Sequence, residues 1–168
     1  MSLLPAPHPV TESVTQSVTI EPMRLDDVDA VLEIERQCLH PTWTREAVVE
    51  ELGRDWARVD VVRDGAAGVV AFANYWLVAD EIHLLNLATL PPQRCQGHAA
   101  RLLTRMIEVA RARACRVVTL EVRRSNAAAQ RLYQRFSFRS VGVRPYYYTD
   151  DQEDAVVMVL ELGRAETP

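Results

Sequence analysis

The sequence contains no lysine: all 19 of its basic residues are arginine. A nucleotide-binding P-loop needs a Gly-Lys pair, so that class is excluded. Glycine is also scarce, at six residues, and nowhere do three fall at the spacing of a dinucleotide-binding fingerprint. The three cysteines, Cys38, Cys95 and Cys115, are odd in number and scattered, which argues against a disulfide framework and for reduced thiols. No apolar run approaches the roughly 18 residues of a membrane span. Residues 1–17, rich in Pro, Ser and Thr, carry neither the basic start nor the apolar stretch of a secretory signal. These absences predict a cytoplasmic protein that does not engage a membrane. A flexible tail is expected over 1–17 and a short one over 164–168, around one domain at 18–163.

What is present fits one core. The chain has 168 residues, 48% apolar and 25% charged, enough to bury about two thirds of its unfolded surface without disulfides or metals. Its formal charge of −4 hides a two-sided distribution. Eleven arginines fall between Arg94 and Arg139 with only Glu108 and Glu121 among them, whereas residues 21–81 carry 14 acids against six arginines. Without net basicity or a reading motif, nucleic acid is not the expected partner; a small polyanion on the basic half is.

Periodicity predicts the elements in the order β-α-α-β-β-β-α-β-α-β-β. A strand at 18–22 precedes a helix at 25–38, and a second helix starts at the N-cap Thr44, flanked by Trp43 and Val48 as a staple, and ends near Gly53. Val59, Val61, the Asp64-Gly65 turn and the runs 68–78 and 82–89 make an antiparallel meander. Ala99, Leu102, Leu103, Met106, Ile107 and Ala110 define an amphipathic helix over 97–114. Strand 117–122, helix 127–136 and two closing strands at 141–148 and 155–162 follow.

The segment Arg94-Cys95-Gln96-Gly97-His98-Ala99 joins a predicted strand to that helix. Small residues there let backbone amides reach a ligand, and a helix N-terminus attracts anions, so a pyrophosphate is the natural occupant. A metal reading of Cys95-x-x-His98 or Cys38-x-His40 lacks the two well-spaced ligand pairs of a zinc site, and no metal is expected.

Around that loop, Asn86-Leu87-Ala88-Thr89, Pro91, Arg94-x-x-Gly97-x-Ala99, Leu102-Leu103, Leu120-Glu121-Val122-Arg123, Ser125-Asn126-x-Ala128-Ala129 and Leu132-Tyr133 follow one another at the spacing of GNAT acetyltransferases. With Arg144, Tyr146-Tyr147 and Glu153-Asp154-Ala155, the chain resembles the bacterial ribosomal-protein alanine N-acetyltransferases called RimI over residues 18–162. The resemblance implies a mixed α/β (α+β) fold, a central, mostly antiparallel, splayed sheet flanked by about four helices, with acetyl-coenzyme A as acetyl donor. It implies that Leu87, Ala88 and Thr89 pair with the pantetheine arm. Arg94, Cys95, Gln96, Gly97, His98, Ala99 and Ala100 then wrap the pyrophosphate, and Asn126 bonds the cofactor arm. It further implies that Glu121 is the general base and Tyr133 the acid that protonates the leaving thiolate, while Trp43, Tyr146 and Tyr147 contact the acceptor.

Those residue types suit the reaction. An α-amino group, with a pKa near ~7.7–8.0, must lose a proton before attacking a thioester, and a thiolate leaving group needs only a weak acid. Glu81 is the rival base, because other members of the superfamily draw theirs from the strand before the loop. The acceptor expected is a protein N-terminus, the analogy being ribosomal-protein alanine; a small amine and a degenerate acyl-coenzyme A-binding module are the alternatives. The enzyme is expected as a monomer or weak dimer. The acids at 150, 151, 153 and 154 beside the tyrosines predict a preference for basic peptides. Ser137 and Ala114 stand where the family usually has helix-ending glycines, a sign of backbone strain.

Overall fold

In the computed structural model, which describes residues 18–39, 43–65 and 67–163, alternating apolar runs become seven strands and the 3.6-residue patterns become four helices. In chain order these are β1 (Val18–Pro22), α1 (Val28–Cys38), α2 (Arg45–Leu52), β2 (Ala57–Asp64), β3 (Gly68–Val78) and β4 (Glu81–Thr89). They continue with α3 (His98–Ala112), β5 (Val117–Arg123), α4 (Ala127–Arg135), β6 (Arg139–Tyr148) and β7 (Glu153–Glu161). The strands form one sheet in the order β1-β2-β3-β4-β5-β7-β6. Every neighbouring pair is antiparallel except β4 and β5. The readings of the tails at 1–17 and 164–168, and of His40, fall outside the described residues.

Sheet alternation sends apolar side chains to both faces, and helices cover them. On one face Leu102, Met106 and Ile107 of α3 and Tyr133 of α4 pack with Tyr75, Leu84, Leu120 and Met158. On the other, Val31 and Ile34 of α1 and Val48 of α2 pack with Val59, Val61, Phe72 and Ala88. Thr44 caps α2 as predicted, its hydroxyl accepting from the Ala47 amide at 3.2 Å.

The predicted helix from residue 25 begins instead as a 3-10 turn, Leu25–Asp27. Asp27 is buried and its carboxylate accepts from the Arg24 amide at 2.9 Å and from Arg63 of β2 at 3.0 Å. That tie to the sheet holds the first turn tight, and the α-helix starts only at Val28.

The one parallel seam is short. Glu81 to Leu84 of β4 pair with Val117 to Leu120 of β5, and pairing between them stops there although both strands continue. Against β3, Asn74 faces Asn86 and Tyr75 faces Leu84, so Leu85 is an extra, bulged residue at the point of parting. A gap therefore opens between residues 85–89 and 121–123.

Two helix ends carry strain that the sequence anticipated. Ala114 has φ 53° and Ser137 φ 67°, both in the left-handed region. That conformation costs a residue with a Cβ about 1–2 kcal/mol. Ala114→Gly and Ser137→Gly should each stabilise the protein by about 0.5–1 kcal/mol, the flexibility of glycine in the unfolded chain offsetting part of the relief. For a chain of this size that is a rise of roughly 1–4 °C in Tm, readable by thermal melting; no rise would mean these turns relax without cost.

Candidate active site

The strand end, the loop and the start of α3 build the anion-binding part. Leu90 to Gln93 make a tight turn, Cys95 takes φ 61°, and Gly97 takes φ 83° as the residue that opens α3. No side chain caps α3, so its first amides are left for a ligand. A Cβ built on Gly97 would meet nothing within 4 Å. The glycine is needed for its φ, and open space lies beside it. Arg94 is exposed, and its Nε donates to the Thr89 carbonyl at 3.3 Å, which ties the loop back to β4. The Cys38 thiol donates to the same carbonyl at 3.2 Å.

His98 departs from a phosphate-facing reading. Its ring is buried at 3% exposure and neither nitrogen has a hydrogen-bond partner, so the backbone amide is the only donor it could offer a phosphate. At the start of α4 the Asn126 side-chain oxygen accepts from the Ala129 amide at 3.0 Å. The oxygen is committed to the cap, which leaves the amide NH₂ as the group that can reach a cofactor.

Glu121 lies just past the end of the parallel seam, and the alternation of β5 turns it away from α3 and α4, onto the face that β5 and β7 leave uncovered. Its carboxylate is 3.2 Å from Arg144 of β6. Tyr133 sits on the opposite face, packed against Phe138 with ring centroids 5.8 Å apart. Burial pushes its phenol well above the ordinary tyrosine value, and Tyr148 adds to the shift. It therefore keeps its proton at neutral pH. A carboxylate on one side of the gap and a proton donor on the other is the layout that direct transfer between an amine and a thioester requires.

Glu81, the rival base, is at the far end of the seam opposite Val117, 3.3 Å from the His83 ring. Leu85 is four positions further along β4, roughly 13 Å along a strand. The geometry favours Glu121.

Among the three tyrosines of β6 the structure singles out the third. Tyr146 and Tyr147 are exposed, at 73% and 44%, on a bulge where Tyr146 takes φ 52°. Tyr148 is half-buried, and burial pushes its phenol up to about 12 against the pull of Arg123, with Tyr147, Glu121 and Glu153 adding to the rise. It thus lies among the candidate groups, and sequence reasoning did not single it out. A β-bulge inverts the in-out order that alternation alone would give. Trp43 stacks on Phe72 at 5.9 Å between centroids, so most of its ring serves the core beside α1 and α2.

The acidic turn between β6 and β7 is not an open field. Arg123 donates to Asp150, Asp151 and Glu153 at 2.7–3.2 Å and lies over the Tyr148 ring at 4.0 Å, while Arg124 reaches Asp154 at 3.1 Å. Two arginines answer four carboxylates, so the turn stays net negative but its charge is partly compensated within the protein. Changing Asp150 and Asp151 to Asn should leave the ratio of kcat/KM for Arg-bearing and Glu-bearing peptides within about twofold, since exposed charges are screened within about 8 Å. A larger change would assign the turn a part in substrate selection. A hollow of about 980 Å³ lies between the C-terminal ends of α3 and α4 near Arg111, Cys115 and Phe136. No candidate catalytic or cofactor residue lines it, so depth alone does not locate the chemistry.

The profile of the acetyltransferase (GNAT) family matches residues 28–138. The chain belongs to this family. As a GNAT acetyltransferase it is similar to the [ribosomal protein bS18]-alanine N-acetyltransferase of Escherichia coli K12, 32% identical over 147 residues, or 86% of this chain and 98% of that one. The enzyme of the same name from Haemophilus ducreyi is 32% identical over 146 residues, covering 85% and 99%. The crystal structure of the Escherichia coli ribosomal-protein-S18-alanine N-acetyltransferase superposes with a TM-score of 0.79 at 29% identity, over 90% of this chain and 99% of that one. The mixed, splayed sheet is thus the GNAT fold, as expected.

Proposed function

We propose that this GNAT enzyme acetylates the N-terminal alanine of a protein, a ribosomal protein by analogy with its relatives, and that it does so in the cytoplasm. Acetyl-coenzyme A is the donor. Its pyrophosphate would lie on the α3 amides of His98, Ala99 and Ala100, and its pantetheine arm would enter the gap along Leu87, Ala88 and Thr89. The acceptor amine comes from the uncovered face, where Glu121 removes its proton. The nitrogen attacks the thioester carbonyl, and Tyr133 returns a proton to the departing thiolate. No covalent enzyme intermediate is needed.

The observation that carries this reading is the placement of Glu121 and Tyr133 on opposite faces beside the parted strands. Among the described residues no helix is long and apolar enough to cross a membrane. Thiol release by the full chain with acetyl-coenzyme A, a panel of Ala-starting peptides and a panel of small amines tests it. Peptide turnover is expected; turnover of amines alone would replace the acceptor, and cofactor binding without turnover of either would remove the acyl-transfer step.

A further inference from the structure

Beyond the assigned groups, the uncovered face of the sheet carries a second polar row. His83 of β4 faces Thr119 of β5 across the parallel seam, and its Nδ1 is 3.0 Å from the Thr119 hydroxyl. Its Nε2 is 3.3 Å from Glu81. Thr119 precedes Glu121 by two positions on β5, so their side chains emerge on the same face, roughly 7 Å apart along the strand. A chain of two waters, each about 2.8 Å from its neighbours, spans such a distance. The row thus runs from Glu121 through Thr119 and His83 to Glu81, at the half-exposed edge where solvent begins.

At the head of the row Arg144 of β6 lies 3.2 Å from the Glu121 carboxylate. On β3 the residue paired with His83 is Trp76, whose indole N–H is given to Glu51. On β7, Val157 and Val159 lie opposite Glu121 and Thr119. At the turn below, Arg116 is paired with Asp80 and feels the charge of Glu81. Glu81 therefore has a cation beyond it, and its own carboxylate beside Nε2 favours the tautomer with the proton on Nε2. That leaves Nδ1 to accept from the Thr119 hydroxyl.

We propose that His83 is the relay through which the proton taken by Glu121 leaves the site. This rests on Glu121 being the base. After the amine proton has moved to the Glu121 carboxylate, the carboxylic acid gives it to the bridging waters, which pass a proton to the Thr119 oxygen. The hydroxyl proton moves to His83 Nδ1, and the imidazolium releases its Nε2 proton to Glu81 or to water. Each O–H or N–H bond broken is matched by one formed, and the base returns to its ionised state; the half-exposed ring, left with its proton on Nδ1, returns to the Nε2–H form by proton exchange with solvent before the next turnover. His83 touches no substrate in this scheme; it acts through Thr119.

The experiment measures steady-state kinetics, solvent deuterium isotope effects and thermal melting for His83→Ala, His83→Gln, Thr119→Val and Glu121→Gln in the full chain. His83→Ala and His83→Gln should each lower kcat on the order of 10-fold with an unchanged KM for acetyl-coenzyme A. That is less than loss of the base itself, because bulk water still drains the proton slowly. Added imidazole should restore most of the His83→Ala rate and raise no other variant. Thr119→Val should match the His83 loss, and the double variant should lose no more than either. His83→Gln keeps a hydrogen bond to Thr119 without a transferable ring proton, so it serves if the alanine variant melts early. Unchanged kcat in the His83 variants, or a loss that imidazole does not repair, overturns the relay while an inactive Glu121→Gln leaves the base in place. An active Glu121→Gln overturns both, and with an impaired His83 variant it makes the His83–Glu81 pair the base.

Discussion

Glu121→Gln should lower kcat by about 10² to 10⁴, the range typical of losing a general base, while affinity for acetyl-coenzyme A stays within twofold. The amide keeps the shape of the side chain and can still meet Arg144, which is 3.2 Å from the carboxylate in the native protein. What it loses is the ability to take a proton. Glu81→Gln should cost no more than the His83 relay does, because Glu81 stands at the far end of the seam. Steady-state kinetics with an Ala-starting peptide decides: a larger loss at Glu81 than at Glu121 would move the base to the bottom of β4. Tyr133→Phe belongs in the same series. If Tyr133 is the acid of the proposed mechanism, its loss should fall on kcat, with acetyl-coenzyme A affinity unchanged.

Gly97→Glu should remove measurable acetyl-coenzyme A binding in calorimetry, a loss of at least about 10²-fold. It sets a negative charge and a side chain into the open space beside the α3 N-terminus, against the partial positive charge that attracts phosphate. Backbone strain contributes separately, because Gly97 sits at φ 83° and any Cβ there costs about 1–2 kcal/mol. Gly97→Ala isolates that part. The alanine variant should melt a few degrees lower and retain most of its affinity, so a loss as severe as that of Gly97→Glu would assign the effect to loop geometry rather than to charge.

What the sequence made legible was local. The stripe of Leu102, Leu103, Met106, Ile107 and Ala110 placed α3 within two residues of its ends, and Thr44 marked the start of α2 by its capping chemistry. The strained Ala114 and Ser137 were visible because helix ends have few solutions. What escaped was decided by pairing between distant segments. Asp27 shortens α1 because Arg63, 36 residues later, holds it. The acids at 150–153 read as free until Arg123 is brought beside them on β5, the neighbour of β7. His83 and Thr119 meet only because a parallel seam aligns them, and no spacing within either strand announces the contact. The same holds for Tyr148, whose inward turn depends on a bulge in register with β7.

The short seam has one more effect. Past Leu84 and Leu120, β4 and β5 each present a strand edge inside the protein rather than at its rim. Backbone groups there lack the partner strand that slows their hydrogen exchange, so residues 85–89 and 121–123 should open more readily than the paired 81–84 and 117–120. A pantetheine arm, with two amides of its own, would stand in as a temporary strand. Binding would then knit the β1–β4 half of the sheet to the β5–β7 half, and deuterium uptake along 85–89 should fall on addition of the cofactor as though the sheet had gained a rung.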